Sequence, residues 1–160
     1  MFLTNAAVRA QPGTAPMTDV ASSPITMPAT APRLRCGTDL IRISRIARAF
    51  ERQGERFGSR IYTASELADC GWPAKTRIDS LAVRFAAKEA VSKALGTGIG
   101  PRGVRWTDIQ IVRITGDAPR VQLQGAAAQR YLELKGQSVS ISMSHDGDLA
   151  LAFCVLDCAP

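Results

Sequence analysis

Residues 78–100 read IDSLAVRFAAKEAVSKALGTGIG, the strongest helical run in the chain, ending in three glycines within five residues. Glycine stops helices because it enters the left-handed region without a Cβ clash. On a wheel at 100° per residue, Ile78, Leu81, Ala82 and Phe85 share about a quarter turn, which predicts the face that meets the core. Glu89 falls in the middle of that face. A carboxylate buried there costs on the order of several kcal/mol unless it is paired or bound to metal. Lys93, one turn on, offers a simple helix pair with Glu89. A second reading is a metal and phosphate site. The glycines would let backbone N–H groups approach an anion, and Arg84, Lys88 and Lys93 add positive charge.

Working outward from this helix, RLRCGTDLIRI (33–43) alternates as a first strand ending near Asp39. SRIARAFERQGERFG (44–58) carries Ile46, Ala49 and Phe50 at helical spacing with arginines on its other faces. TASE (63–66) is a capping-box pattern that opens a short helix, closed by CGWP. WTDIQIVRI and RVQLQG read as strands joined through TGDAP, and AAAQRYLELKG as an Ala-rich helix with a glycine stop. SVSISMSHDGDLALAFCVL is two alternating runs around HDGD, a hairpin. The order β-α-α-α-β-β-α-β-β predicts an α+β fold with helices on a mainly antiparallel sheet.

Composition narrows the function classes. With 46% hydrophobic and 21% charged residues over 160, the chain has the profile of one globular domain. Residues 1–32 are rich in Ala, Pro, Thr and Ser without an apolar period, which predicts a disordered leader before a domain at 33–160; Met17 and Met27 leave room for a later start. No run is long enough for a secretory core or a membrane span. Four scattered cysteines and a single His145 argue for free thiols rather than zinc. The net charge of +6 favours an acidic partner. It is concentrated in residues 33–56, where seven arginines face one aspartate and two glutamates. Phe50 is the sole aromatic residue among them, which speaks against a stacking surface for nucleic acid.

Asp39 supplies a second carboxylate. One carboxylate at a strand end and one on a helix face can hold Mg2+ against a diphosphate, and with lysine and glycine they suit phosphoryl-type transfer. A nucleic-acid module would explain the arginines but not Glu89, Lys93 and the glycines. A catalytically silent binding protein would not need both carboxylates.

The segments GTDLIRISRI, RIYTASE, SLAVRFAAKEAVSKALGTGIG, WTDIQI and SMSHDGDLALA occur here in the order seen in the holo-acyl-carrier-protein synthases, small bacterial 4′-phosphopantetheinyl transferases, and residues 34–156 resemble that family. Tyr62, Val83, Met143 and a wide ADCGWPAKTRID connection depart from its usual pattern, none at the expected metal site. The resemblance implies transfer of 4′-phosphopantetheine from coenzyme A to a serine of acyl carrier protein, releasing adenosine 3′,5′-bisphosphate. It implies Asp39 and Glu89 as Mg2+ ligands and Lys93 at the pyrophosphate. Arg84, Gly96, Gly98, Ser144 and His145 are implied along the coenzyme. Arg42, Arg45 and Arg52 would face the acidic helix of the carrier. It further implies a homotrimer, a cytoplasmic location and a place in fatty acid biosynthesis. For the serine proton, metal-bound water, Glu89, or Asp146 beside His145 all stay open.

Overall fold

A computed structural model describes residues 33–113 and 116–160. The leader expected over 1–32 lies outside them. Strands β1 (Leu34–Arg42), β4 (Gly136–Asp146) and β5 (Leu149–Cys158) form an antiparallel sheet in the order β1-β5-β4, and β2 (Ile109–Val112) and β3 (Arg120–Leu123) form a separate hairpin. The helices are α1 (Ile43–Gln53), α2 (Glu55–Ile61), α3 (Ala64–Asp69), α4 (Ile78–Leu95) and α5 (Gly125–Glu133). The α+β class is as expected, with two local corrections. Strand β1 runs on to Arg42 rather than ending near Asp39, and the first helical run is two helices broken at Gly54, giving four helices before β2 instead of three.

Strand alternation sorts the large sheet into two faces. Toward α4 point the rungs Ile41–Ala150–His145, Asp39–Ala152–Met143 and Gly37–Cys154–Ile141. The other face carries Leu40, Leu149, Leu151 and Phe153, all exposed. The inner positions of β5 are small where α4 crosses, and α4 itself is rich in alanine. At Gly37 the two backbones touch: a Cβ there would stand 2.0 Å from the Ala90 carbonyl oxygen and 2.8 Å from the Ala94 nitrogen. Only glycine fits.

Helix α4 is buried nearly all round, so the one-sided wheel predicted from the sequence is overturned. Leu81 through Arg84, Ala86 through Lys88 and Ala90 through Ser92 are all buried. Phe85 and Glu89 are only half-buried and Lys93 is exposed; they form the open strip of the helix, not its core face. A helix enclosed by a sheet on one side and helices and a hairpin on the others has no polar side to read from period alone.

The charge with no access to water is Lys88. Its Nζ lies 2.8 Å from Glu66 Oε2, donates to the Trp106 carbonyl at 3.0 Å and also to the Ile109 carbonyl. Burial pushes the ammonium down against the pull of Glu66. Glu66 in turn accepts the Thr63 and Ile111 N–H groups at 2.9 Å, so one residue completes the capping box of α3 and ties it to β2. Arg35 Nε and Arg130 Nε donate to the Ala94 and Leu95 carbonyls, satisfying the C-terminal end of α4. Phe50 packs against Phe57, Tyr62 and Trp72, holding α1 and α2 to the loop after α3.

Breaking a fully buried pair from one side leaves an uncompensated charge, which costs about 3–5 kcal/mol. Lys88→Met is expected to show a loss of that size in urea unfolding. Adding Glu66→Gln should recover more than half of it, since the amide oxygen can still accept the Ile111 N–H.

Candidate active site

The carboxylates singled out from the sequence come together where β1 meets α4. Asp39 points inward two positions beyond Gly37, and Lys93 Nζ reaches across to its Oδ1 at 2.8 Å and to the Thr38 carbonyl at 2.7 Å. Lys93 therefore pairs with the strand aspartate rather than with Glu89 one turn back. Glu89 sits in the same cluster. Burial first and the Asp39 carboxylate second push its carboxyl above the ordinary value of 4.5, opposed by Lys93, the Ser92 hydroxyl and Arg45. Two carboxylates crowded together, with cations at the rim, form a site that gains from a further cation between them.

The glycines do something other than expected. The Gly96 N–H binds the Lys93 carbonyl at 3.0 Å, and the Thr97 and Gly98 N–H groups both reach the Ser92 carbonyl, at 3.1 and 3.3 Å. Those amides close the helix and are not free for an anion. Gly96 takes the left-handed cap with φ 73°, and Gly98 leaves open space where a Cβ would be. A Cβ at Gly96 would stand 2.6 Å from Arg35 Nη2, so of the two only Gly98 borders open space.

Arg84, Ser144 and His145 meet at a second place, a cavity of about 330 Å3 also lined by Ser80 and Arg113. Arg84 is buried; Nη1 donates to the Ser80 carbonyl at 3.2 Å and Nη2 stands 3.7 Å from Asp69 Oδ2. Its Nε is buried without a hydrogen-bond partner among the described residues. An orphan N–H on a guanidinium at a basic cavity is a place an anionic oxygen would complete. His145 Nε2 lies 3.5 Å from Asp79 Oδ2. Ser144 and Asp146 alternate to the opposite face of β4 from His145, so Asp146 is not brought beside Asp39 and Glu89.

The arginine surface also differs from the expected one. Arg42 ends β1 and precedes the helix, so it does not share a helical face with Arg45. The exposed face of α1 is Arg45, Arg48 and Arg52, opposite the buried Ile46 and Phe50. Arg48 was passed over in the sequence, although its spacing of three and four residues from the other two marked it.

The model of the 4′-phosphopantetheinyl transferase superfamily matches residues 35–154, which span both clusters and the arginine face. The chain belongs to this superfamily. Within it the chain groups with the holo-[acyl-carrier-protein] synthases. It is 44% identical over 131 residues to the one from Bradyrhizobium diazoefficiens, covering 78% of this chain and 94% of the relative. The synthase from Herpetosiphon aurantiacus is also 44% identical, with 74% and 94% covered. Among solved structures, the Helicobacter pylori synthase in complex with coenzyme A aligns with a TM-score of 0.67 at 34% identity, over 76% of this chain and 99% of that one. The Neisseria meningitidis synthase aligns at 0.68 and 36%, over 77% and 97%.

Because folding raises the Glu89 pKa, the stability this group contributes is present below its unfolded value of 4.5 and lost as pH rises through the folded value. In buffer free of divalent cations, Glu89→Gln is expected to be more stable than the parent at pH 7. The gain should shrink toward pH 4, as thermal midpoints taken across that range would show.

Proposed function

We propose that this chain transfers 4′-phosphopantetheine from coenzyme A to a serine hydroxyl of apo acyl carrier protein, with Mg2+, releasing adenosine 3′,5′-bisphosphate. The observation that carries the reading is the meeting of Asp39, Glu89 and Lys93 at one junction of β1 and α4. We assign the transferase domain to residues 33–160.

Magnesium suits the donor set. Mg2+ commonly takes one or two carboxylates and completes its shell with water and substrate phosphate oxygens. Asp39 and Glu89 offer two carboxylates, and among the described residues there is no group of three or more His, Cys, Asp or Glu that could hold a metal by itself. Bound there, the ion would neutralise charge on the diphosphate and its leaving oxygen. Lys93, freed from Asp39, would bind the same diphosphate. Glu89 is the carboxylate in this cluster that would take the serine proton, whereas Asp146 stands on the far face of β4. Arg84 and Glu89 are five residues apart, about 7.5 Å along the helix. A ligand with a diphosphate and a separate phosphate, as in coenzyme A, can engage both the carboxylate cluster and the basic cavity. His145 and Ser144 border that cavity, and Gly98, with open space around it, would leave room for the coenzyme past the end of α4, where Gly96 forms the cap.

The exposed arginines Arg45, Arg48 and Arg52, with Arg42 at the helix entrance, suit the acidic helix of a carrier protein. The apolar outer face of the sheet, with Leu40, Leu151 and Phe153 exposed, supports a homotrimer in which that face is covered by other copies. Four unpaired cysteines support work in a reducing cytoplasm, where carrier activation feeds fatty acid biosynthesis.

The deciding test is mass spectrometry of apo carrier protein incubated with this protein, coenzyme A and Mg2+. The expected product carries one phosphopantetheine on serine, and an unmodified carrier would sink the reading. Asp39→Ala and Glu89→Ala should each reduce transfer by at least about 100-fold while far-UV dichroism stays unchanged. Lys93→Ala should lower turnover more than stability; an unchanged rate at saturating coenzyme A would remove it from the catalytic set. Arg42→Glu with Arg45→Glu should raise the carrier KM in a salt-dependent way and leave coenzyme A affinity, read by calorimetry, nearly unchanged.

A further inference from the structure

Helix α1 carries the arginine face, yet its own sequence does little to start it. Arg42 at its N-cap position supplies no side-chain cap, and no acidic residue lies in the first turn. The missing acceptors come from the far end of the chain. Gly147 and Asp148 form the two-residue turn between β4 and β5, and Asp148 points into the start of α1. Its Oδ1 accepts the Ser44 N–H at 2.7 Å and its Oδ2 accepts the Ser44 hydroxyl at 2.9 Å. The Asp148 carbonyl accepts the Ile43 N–H at 2.8 Å. Arg42 Nη1 stands 3.6 Å from Asp148 Oδ2.

One residue thus satisfies two of the N–H groups that a helix start leaves without partners, and places a negative charge at the positive end of the helix dipole. An exposed aspartate capping a helix over one hundred residues earlier in the chain is more than a local turn feature. It fixes where α1 begins, the angle at which Arg45, Arg48 and Arg52 project, and the direction of Arg42.

We infer that Asp148 is a positioning residue for carrier-protein recognition, holding the first turn of α1 and Arg42 in the geometry that an acidic partner surface meets. This rests on the carrier-docking reading of α1 given above. The same turn follows His145 and Asp146 directly, so the hairpin that borders the basic cavity at its strand end also anchors the arginine helix at its tip.

The test is steady-state kinetics of the full chain with both substrates varied, at low and high salt, on Asp148→Ala, Asp148→Asn and Arg45→Glu. Asn caps helices about as well as Asp, whereas Ala does not. Asp148→Ala is expected to raise the carrier KM about three- to tenfold, the size of one lost N-cap expressed as an equilibrium. The coenzyme A KM and kcat should stay within about twofold, and hydrogen exchange of the Ser44 amide, whose acceptor is the lost carboxylate, should quicken. Asp148→Asn should recover most of the carrier KM and the amide protection. If Asp148→Ala leaves the carrier KM unchanged while Arg45→Glu raises it, the docking reading stands and the positioning role falls. Equal rises in both KM values, or a fall in kcat and thermal midpoint alone, would make Asp148 a plain structural cap and overturn the inference. If Arg45→Glu itself leaves the carrier KM unchanged, the docking reading fails and this inference fails with it.

Discussion

The backbones of β1 and α4 touch at Gly37, and the candidate site exists because of that contact. Any side chain at this position would collide with the Ala90 carbonyl and push the helix away from the sheet. With the helix so close, Asp39, two positions along the same strand face, lies within reach of the Lys93 ammonium and beside Glu89. A separation of even one or two ångströms would put water between groups that now act on each other directly. The small inner positions of β5, Ala150 and Ala152, extend the same close approach across the sheet.

Bringing a helix that close and covering its remaining sides has a second consequence. Charged residues on α4 cannot all reach water. Lys88 is met by Glu66 and two backbone carbonyls, and Arg84 by the Ser80 carbonyl and Asp69. These are different solutions. The Lys88 network has its acceptors in place and binds α3, α4 and β2 into one unit. Arg84 keeps a buried N–H without a partner among the described residues, at the edge of a cavity. The contrast separates a buried charge whose partners are complete from one whose partners are not.

The large sheet divides its two faces by the same logic. Its inner face carries Asp39 and His145 toward α4, and its outer face carries Leu40, Leu151 and Phe153 toward whatever covers it. Ser144 and His145 are neighbours in sequence and both border the cavity beside Arg84, although their side chains alternate across β4. Alternation with period two makes this unavoidable on a strand.

The order of the elements was legible in the chain because it is written in short-range signals. TASE caps α3 as its pattern required, Gly96 ends α4, and the alternating runs around HDGD pair as a hairpin. The family was legible in the same way, through consecutive motifs. What the helical period could not convey is which side of α4 would be buried, because a helix enclosed on all sides and built largely of alanine has no face that hydrophobicity marks. Glu89 therefore stands out in the sequence as a core oddity although it lies on the open strip, while Lys88, counted there with Arg84 and Lys93 as charge for a phosphate site, is buried against Glu66. The Lys93 partner, the Lys88–Glu66 pair and the cap that Asp148 provides for Ser44 join residues 54, 22 and 104 positions apart. Contacts of that span leave no periodic trace in a sequence. They are set by how the elements pack, and only the tertiary structure decides them.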